Sequence, residues 1–385
     1  MFANYKICVV SSSRADFGLL TPLLRALDAS ESFQLQFVAT GSHLSHEHGF
    51  TIQEIETSGI KVDVQVDVSV DSASAIGIGE TLARAASSFS KIFGELWPNL
   101  ILILGDRYEM LGVASAATCL GIPISHLHGG EITEGAIDDS IRHAITKLSH
   151  LHFVCNESYR NRVIQLGEHP TTVFNVGSLG IDNISCLKRL EKTDLEKQLH
   201  LKFSNRNIMV GYHSTTLEKN DATSVNIMLD DLAKLDDTTV IFTMPNADLG
   251  SKDVEHQFRD FSAEHNHAFF FENLGLLRYI SCLAISDFLI GNSSSGILEA
   301  PFLGCYTINV GARQKGRLQA DTVVNVTPKP NEIYEHVIEL SKNIQSFGRP
   351  SPRQLFGDGK ACERIVSILE KQIPTITTNK SFYDI

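Results

Sequence analysis

Leu100-Ile101-Leu102-Ile103-Leu104-Gly105-Asp106-Arg107-Tyr108-Glu109 is the stretch on which the fold turns. Its apolar half has no polar alternation, which predicts a strand buried on both faces, as in a parallel sheet. A glycine, two charged residues and a helical pattern from Glu109 to Leu120 follow at once. A strand, a short polar turn and a helix make half of a βαβ unit, and such sheets carry their chemistry at the carboxyl ends of the strands.

The same plan recurs outward in both directions. Before it lie strand patterns at Tyr5 to Val10, Phe33 to Ala39 and, more weakly, Ile60 to Val66. Helical patterns at Leu19 to Leu27, Thr51 to Thr57 and Ser74 to Leu96 separate them. After it come Ile122 to Leu127, a helix from Asp138 to Ser149, and Leu151 to Cys155, which closes the series. A second series runs through Ile208 to Tyr212, Thr239 to Thr243, Ala268 to Phe271, Leu283 to Ile290, Tyr306 to Val310 and Val323 to Val326. The polar stretch Leu187 to Asn207 reads as the link, and its charged run Lys188 to Glu196 reads as a solvated helix face. The expectation is an α/β protein of two Rossmann-like, doubly wound domains. Residues 1–185 form the first, 186–370 the second, and 371–385 a tail. A ligand is then expected in the cleft between the carboxyl ends of their strands.

Bulk properties agree with an ordinary globular protein. The 385 residues exceed one typical core, and 43% hydrophobic with 20% charged content is unremarkable. A formal net charge of −12 argues against a general nucleic-acid or anionic-membrane binder, although a phosphorylated small ligand needs only a few local donors. The seven cysteines show no CxxC spacing and several sit in apolar runs, so they read as reduced packing residues of a cytoplasmic protein. No apolar run approaches the roughly 20 residues of a membrane helix.

The residues that end the strands are rich in chemistry. Ser11-Ser12-Ser13-Arg14-Ala15-Asp16 follows the first strand and lacks a GxGxxG fingerprint, which disfavours an NAD enzyme. Arg14 there is either a surface arginine or a diphosphate partner. Asp106 either caps the next helix or serves as an acid/base carboxylate beside the phosphate-binding cation Arg107. His126-Leu127-His128-Gly129-Gly130-Glu131 and Asp138-Asp139-Ser140-Ile141-Arg142-His143 come next. In the second half, strand ends supply His213, the run Pro245-Asn246-Ala247-Asp248, and Gly311-Ala312-Arg313-Gln314-Lys315-Gly316-Arg317. Gly291-Asn292-Ser293-Ser294-Ser295-Gly296 sits between the apolar run Cys282 to Ile290 and a helical pattern from Ile297 to Phe302. It reads as a helix cap or as an anion nest whose freed N–H groups and helix dipole hold phosphate, with Glu299 on a ribose diol. The crowded histidines (His43, His46 and His48; His126, His128, His143, His150 and His152) raise a metal site, with His126 and His128 on one face of a strand. No HExxH or Cys/His pattern supports it, and no GxSxG elbow supports a serine hydrolase.

Ser13-Arg14-Ala15-Asp16, Gly41-Ser42-His43-Leu44, Gly105-Asp106-Arg107, His128-Gly129-Gly130-Glu131, Asp138 to His143, Gly291 to Gly296 with Glu299, and Gly311 to Arg317 occur in this order. Together they resemble the hydrolysing UDP-N-acetylglucosamine 2-epimerases, specifically those that start bacterial sialic acid synthesis. The resemblance spans the chain, including Phe382-Tyr383-Asp384-Ile385, which is similar to the end of capsule-pathway members.

It implies a GT-B fold, UDP in a cleft, neither NAD nor an essential metal, and a homodimer or higher homo-oligomer. It also implies that Ser293, Ser294 and Arg14 hold the diphosphate and Glu299 the ribose. Arg313, His213 and Arg107 would line the sugar-diphosphate site, with His213 also among the catalytic candidates, and Asn246 and Asp248 would be neighbours. The implied reaction removes the C2 proton and expels UDP to leave a glycal. Water then adds at C1 as C2 is protonated on the other face, releasing N-acetylmannosamine. Asp106 and Asp139, with Asp138 beside it, are the carboxylates of choice. Many relatives carry Glu where this chain has His128, so the division of acid and base between His128 and Glu131 stays open. A close variant takes a 4-acetamido-4,6-dideoxy UDP-sugar. A GT-B glycosyltransferase and a non-catalytic UDP-sugar sensor are the other readings, the first needing an acceptor and the second showing binding without turnover.

Overall fold

The computed structural model describes residues 4–46, 50–71, 74–133, 137–213, 221–245 and 251–385. The chain forms two compact units, residues 1–185 with 356–385, and residues 186–355.

The first unit contains strands β1 (Tyr5–Ser11), β2 (Phe33–Thr40), β3 (Val64–Val66), β4 (Leu100–Leu104), β5 (Ile124–Leu127), β6 (Leu151–Val154) and β7 (Val173–Asn175). Its helices are α1 (Arg14–Asp28), α2 (Ile52–Thr57), α3 (Ala75–Leu96), α4 (Tyr108–Cys119), α5 (Ile137–Leu148), α6 (Glu157–Gln165) and α7 (Leu179–Cys186). The strands pair in the order β3-β2-β1-β4-β5-β6-β7, every pair parallel. Alternate residues feed opposite cores. Ile7, Val9, Leu100, Leu102 and Leu104 pack with α1, while Cys8, Val10, Ile101 and Ile103 pack with α3 and α4. That is why β4 has no polar position.

The second unit contains α8 (Lys192–Leu199), β8 (Arg206–Gly211), α9 (Asp221–Leu232), β9 (Thr238–Thr243), α10 (Ser251–Glu264), β10 (Ala268–Phe271), α11 (Gly275–Ile285) and β11 (Phe288–Gly291). It continues with α12 (Glu299–Phe302), β12 (Tyr306–Val310), β13 (Val323–Val326) and α13 (Glu332–Phe347). Its order, β10-β9-β8-β11-β12-β13, repeats the first six strands of the first unit, again all parallel.

Four sequence expectations need correction. The first series does not close at Cys155, because β7 adds a seventh strand too short to leave a periodic signal. The third strand begins at Val64, not Ile60. The apolar run Leu283 to Ile290 is not one strand: its first part ends α11, whose Ile280, Cys282 and Leu283 are buried, and β11 starts at Phe288. A run of buried helix and a run of buried strand look alike without flanking punctuation. Lastly α14 (Ala361–Gln372), given to the second domain by its place in the chain, packs in the first unit. Buried Asp182 accepts hydrogen bonds from the Ala361 and Cys362 N–H groups at 2.9 and 2.7 Å, capping α14, and Ile365 and Leu369 enter the core beside Leu20 and Leu24.

Candidate active site

Residues of the second unit's carboxyl edge are locked by one amide. Asn292, 1% exposed, accepts from the His213 N–H at 2.7 Å and donates to the His213 carbonyl at 2.8 Å. This clasp ties the exit of β11 to the exit of β8. The strands approach so closely there that a side chain on Gly291 would collide with the Gly211 carbonyl, and Gly291 has φ 131°. The Asn292 carbonyl in turn accepts from Arg313 Nη1 at 3.0 Å and Gln314 Nε2 at 2.8 Å. Asn292 and Gln314 carry no role in the sequence reading, and their flanking Gly and Arg residues were the only signals. Asn246 and Asp248 lie outside the described residues.

The serine nest differs from its expected form. Ser294–Gly296 make one 3-10 turn and α12 has only four residues, so no long helix aims its dipole at the nest. The Asn292 and Ser293 N–H groups both bond the Gly211 carbonyl at 3.1 Å, and the Gly296 N–H bonds Ser293. Fewer backbone donors are therefore free than a helix N-terminus offers. What the turn presents is hydroxyl-rich: Ser293, Ser294 and Ser295 are all half-buried. Glu299 starts α12 with Oε2 buried and without a partner. Burial raises its pKa, opposed by a hydrogen bond from Ser295.

The first unit's carboxyl edge is dense in charge. Arg142 of α5, with 6% of its side chain exposed, is the hub. It pairs with Asp106, donates to the Glu131 carbonyl at 2.9 Å and to Thr133 Oγ1 at 3.1 Å, and lies 3.5 Å from Asp139. Asp106 is thus no helix cap: α4 begins after Arg107 with no side-chain cap. Asp139 accepts from the Thr133 N–H at 2.8 Å and lies 3.6 Å from His143, so it anchors the Glu131–Thr133 segment. Its neighbour Asp138 has a pKa raised by burial and by the Asp106 charge.

His128 follows β5 with φ 63°, a left-handed conformation uncommon outside glycine, while its N–H bonds Phe153 at 2.9 Å. Its Nδ1 lies 3.4 Å from Glu131 Oε1, and Cys155 Sγ donates to the same oxygen at 3.6 Å. Burial works against charge on His128, but Cys155 and Glu131 outweigh it and hold its pKa well above the usual value. Arg107 donates to fully buried Glu109 at 2.6 Å. Arg14 is exposed and paired with Glu54 at 3.0 Å.

The crowded histidines that raised the metal reading are mostly core residues. His126 uses Nδ1 on Thr146 and Nε2 on the Gly105 carbonyl, and burial pushes its pKa down to about 3. His43 bridges Ser11 and Thr51, with its pKa lowered to about 4 mainly by burial. His152 bonds Glu168 at 2.9 Å, and His150 accepts from the Ile124 N–H at 3.2 Å. His48 lies outside the described residues.

Residues 25–370 match the family model described as UDP-N-acetylglucosamine 2-epimerase. The chain belongs to the UDP-N-acetylglucosamine 2-epimerase family. Among its relatives is the GDP/UDP-N,N'-diacetylbacillosamine 2-epimerase (hydrolyzing) of Campylobacter jejuni, 42% identical over 83% of this chain and 84% of that protein. The polysialic acid biosynthesis protein P7 of Escherichia coli is 35% identical over 99% and 97%. The crystal structure of the UDP-GlcNAc 2-epimerase from Neisseria meningitidis bound to UDP-GlcNAc superposes with a TM-score of 0.79. It covers 95% of this chain and all of that one at 18% identity. Both units therefore have the Rossmann-like architecture of the GT-B members of this family. Among the described residues no helix is long and apolar enough to cross a membrane.

Proposed function

We propose that this family member hydrolyses a UDP-2-acetamido sugar with inversion at C2, expelling UDP to leave a glycal and then hydrating it. The observation that carries the reading is the Arg142 hub. It gathers Asp106, Asp138, Asp139 and the Glu131 turn at one strand edge, so several carboxylates share one place, and burial with the Asp106 charge raises the pKa of Asp138.

Asp106, set by Arg142, takes or returns the C2 proton. His128 and Glu131 form the second proton-transfer pair, the raised pKa of His128 letting it arrive protonated near neutral pH. Asp138, whose burial favours a held proton, supports Asp106, while Asp139 positions the turn. In the second unit, the hydroxyls of Ser293 and Ser294 with Arg313 hold the departing diphosphate, and His213 and Asn246 are candidates for the sugar; Arg14 and Arg107 are the first unit's candidate phosphate-binding cations. Glu299 takes the ribose diol with its unpartnered carboxylate oxygen. No step in this scheme calls for NAD or a metal.

UDP-N-acetylglucosamine, giving N-acetylmannosamine for sialic acid synthesis, is the substrate that the ordered motifs favour. A second reading, the UDP-linked 2,4-diacetamido-trideoxy sugar, is favoured by the 42% identity to the diacetylbacillosamine enzyme. A side-by-side kcat/KM measurement on the two sugars decides between them. A proton NMR time course in deuterated water tests the chemistry. Free mannosamine-type sugar carrying deuterium at C2, released with UDP, is the expected product. Retention of the C2 proton overturns the elimination, and transfer to an acceptor without free sugar supports a glycosyltransferase instead.

A further inference from the structure

The turn after β5 and the end of β6 bring together a mixed nitrogen, oxygen and sulfur donor set. Among the described residues, His128, Glu131 and Cys155 place a ring nitrogen, a carboxylate oxygen and a sulfur within 4.8 Å of one another. Glu131 Oε1 stands 3.4 Å from His128 Nδ1 and 3.6 Å from Cys155 Sγ. A tetrahedral ion with bonds of about 2.0–2.3 Å separates its ligands by about 3.3–3.8 Å, so these spacings need little adjustment.

The donors are also held in place. His128 is fixed through its N–H to β6, and the Gly130 carbonyl accepts from Arg162 of α6. Cys155 is 3% exposed, whereas His128 and Glu131 side chains retain 16% and 26%, which leaves an entry path.

We propose that His128, Glu131 and Cys155 bind a borderline divalent ion of the zinc class. Sulfur and imidazole select against magnesium and calcium, which take oxygen ligands, and three protein ligands leave a fourth position for water. On binding, the Cys155 S–H bond and the N–H bond at the ligating nitrogen of protonated His128 break, metal–sulfur and metal–nitrogen bonds form, and both protons pass to solvent. The occupied site withdraws His128 and Glu131 from proton transfer, so the ion acts as a reversible inhibitor. That consequence rests on the proposed function; the uptake of metal does not.

Cobalt(II) titration of the full chain under reducing conditions tests the site. The expected result is one equivalent bound and a sulfur-to-cobalt charge-transfer band in the near ultraviolet. Cys155→Ser should lose the band and bind zinc about tenfold or more weakly. Glu131→Gln should also weaken binding yet keep the band. A band unchanged in Cys155→Ser would place the metal on exposed Cys119 or Cys186 and overturn the proposal. So would the absence of stoichiometric uptake by the wild type. In turnover, zinc should slow the wild type, a chelator should restore it, and Cys155→Ser should resist. Stoichiometric uptake with undiminished turnover would keep the site and overturn the parts given to His128 and Glu131.

Discussion

Two strand edges of the same topology have been furnished in opposite ways. Both sheets wind through the same order of six strands, and in both the candidate site residues gather just beyond the carboxyl ends. At the second unit's edge the framework is mostly neutral: an amide clasp, two glycines in contact and a turn of hydroxyls, with Arg313 bonded to the Asn292 carbonyl and one buried carboxylate, Glu299. At the first unit's edge, Arg142 is surrounded by carboxylates and a histidine stands beside a thiol. Neutral donors can hold an anion without changing protonation. A charge-dense edge shifts proton affinities, which proton transfer requires. The contrast teaches that one fold unit, used twice, can divide binding from proton movement.

The largest test of that division is Asp106→Asn. Turnover should fall about 10²–10⁴-fold, the usual worth of a positioned acid or base, with UDP affinity by calorimetry nearly unchanged. If UDP affinity falls with turnover, the edges are not separate in function.

The next concerns the charge density of the first unit at its other end. Burial opposes ionisation of Glu168, but His152, Lys147 and Lys380 hold its pKa at about 2 against an ordinary 4.5. The folded pKa is the lower, so its stabilisation is complete above pH 4.5 and is lost as pH falls toward 2. That difference is worth about 3 kcal/mol. Urea unfolding of wild type and Glu168→Gln should therefore differ most near neutrality and converge as the pH drops. A constant gap across that window would contradict the assignment.

Asn292→Ala probes the neutral clasp. It strips partners from the His213 backbone and should cost about 2 kcal/mol of the second unit's stability, while weakening UDP binding through the displaced turn. Unfolding by urea with a probe in each unit should show the loss in the second unit alone. Ser294→Ala should have the smallest effect. One lost hydroxyl is worth about 1 kcal/mol, roughly fivefold in UDP affinity, with kcat preserved. A fall in kcat instead would give Ser294 a part in the chemistry.

Much of this was legible in the chain. Uninterrupted apolar runs such as Leu100–Leu104 announce a parallel sheet because both faces of such strands are buried, and each residue goes to one core or the other. Since parallel strands expose their chemistry at one edge, the residues after each run, Asp106, His128 and the serine turn among them, could be named before any coordinates. Short elements escaped: β7 spans three residues, and a buried helix end such as Ile280–Ile285 carries the same apolar composition as a strand.

The sequence by itself determined the class of most elements, the doubling of the fold and the list of groups available, because these depend on neighbours a few positions apart. Only the tertiary structure decided their partners. Arg142 meets Asp106 across 36 positions, Asn292 clasps His213 across 79, and Asp182 draws α14 back into the first unit across 179. Such pairings are set by where strands and helices pack. Whether a carboxylate caps, anchors or holds a proton then follows from the burial and charge that packing puts around it.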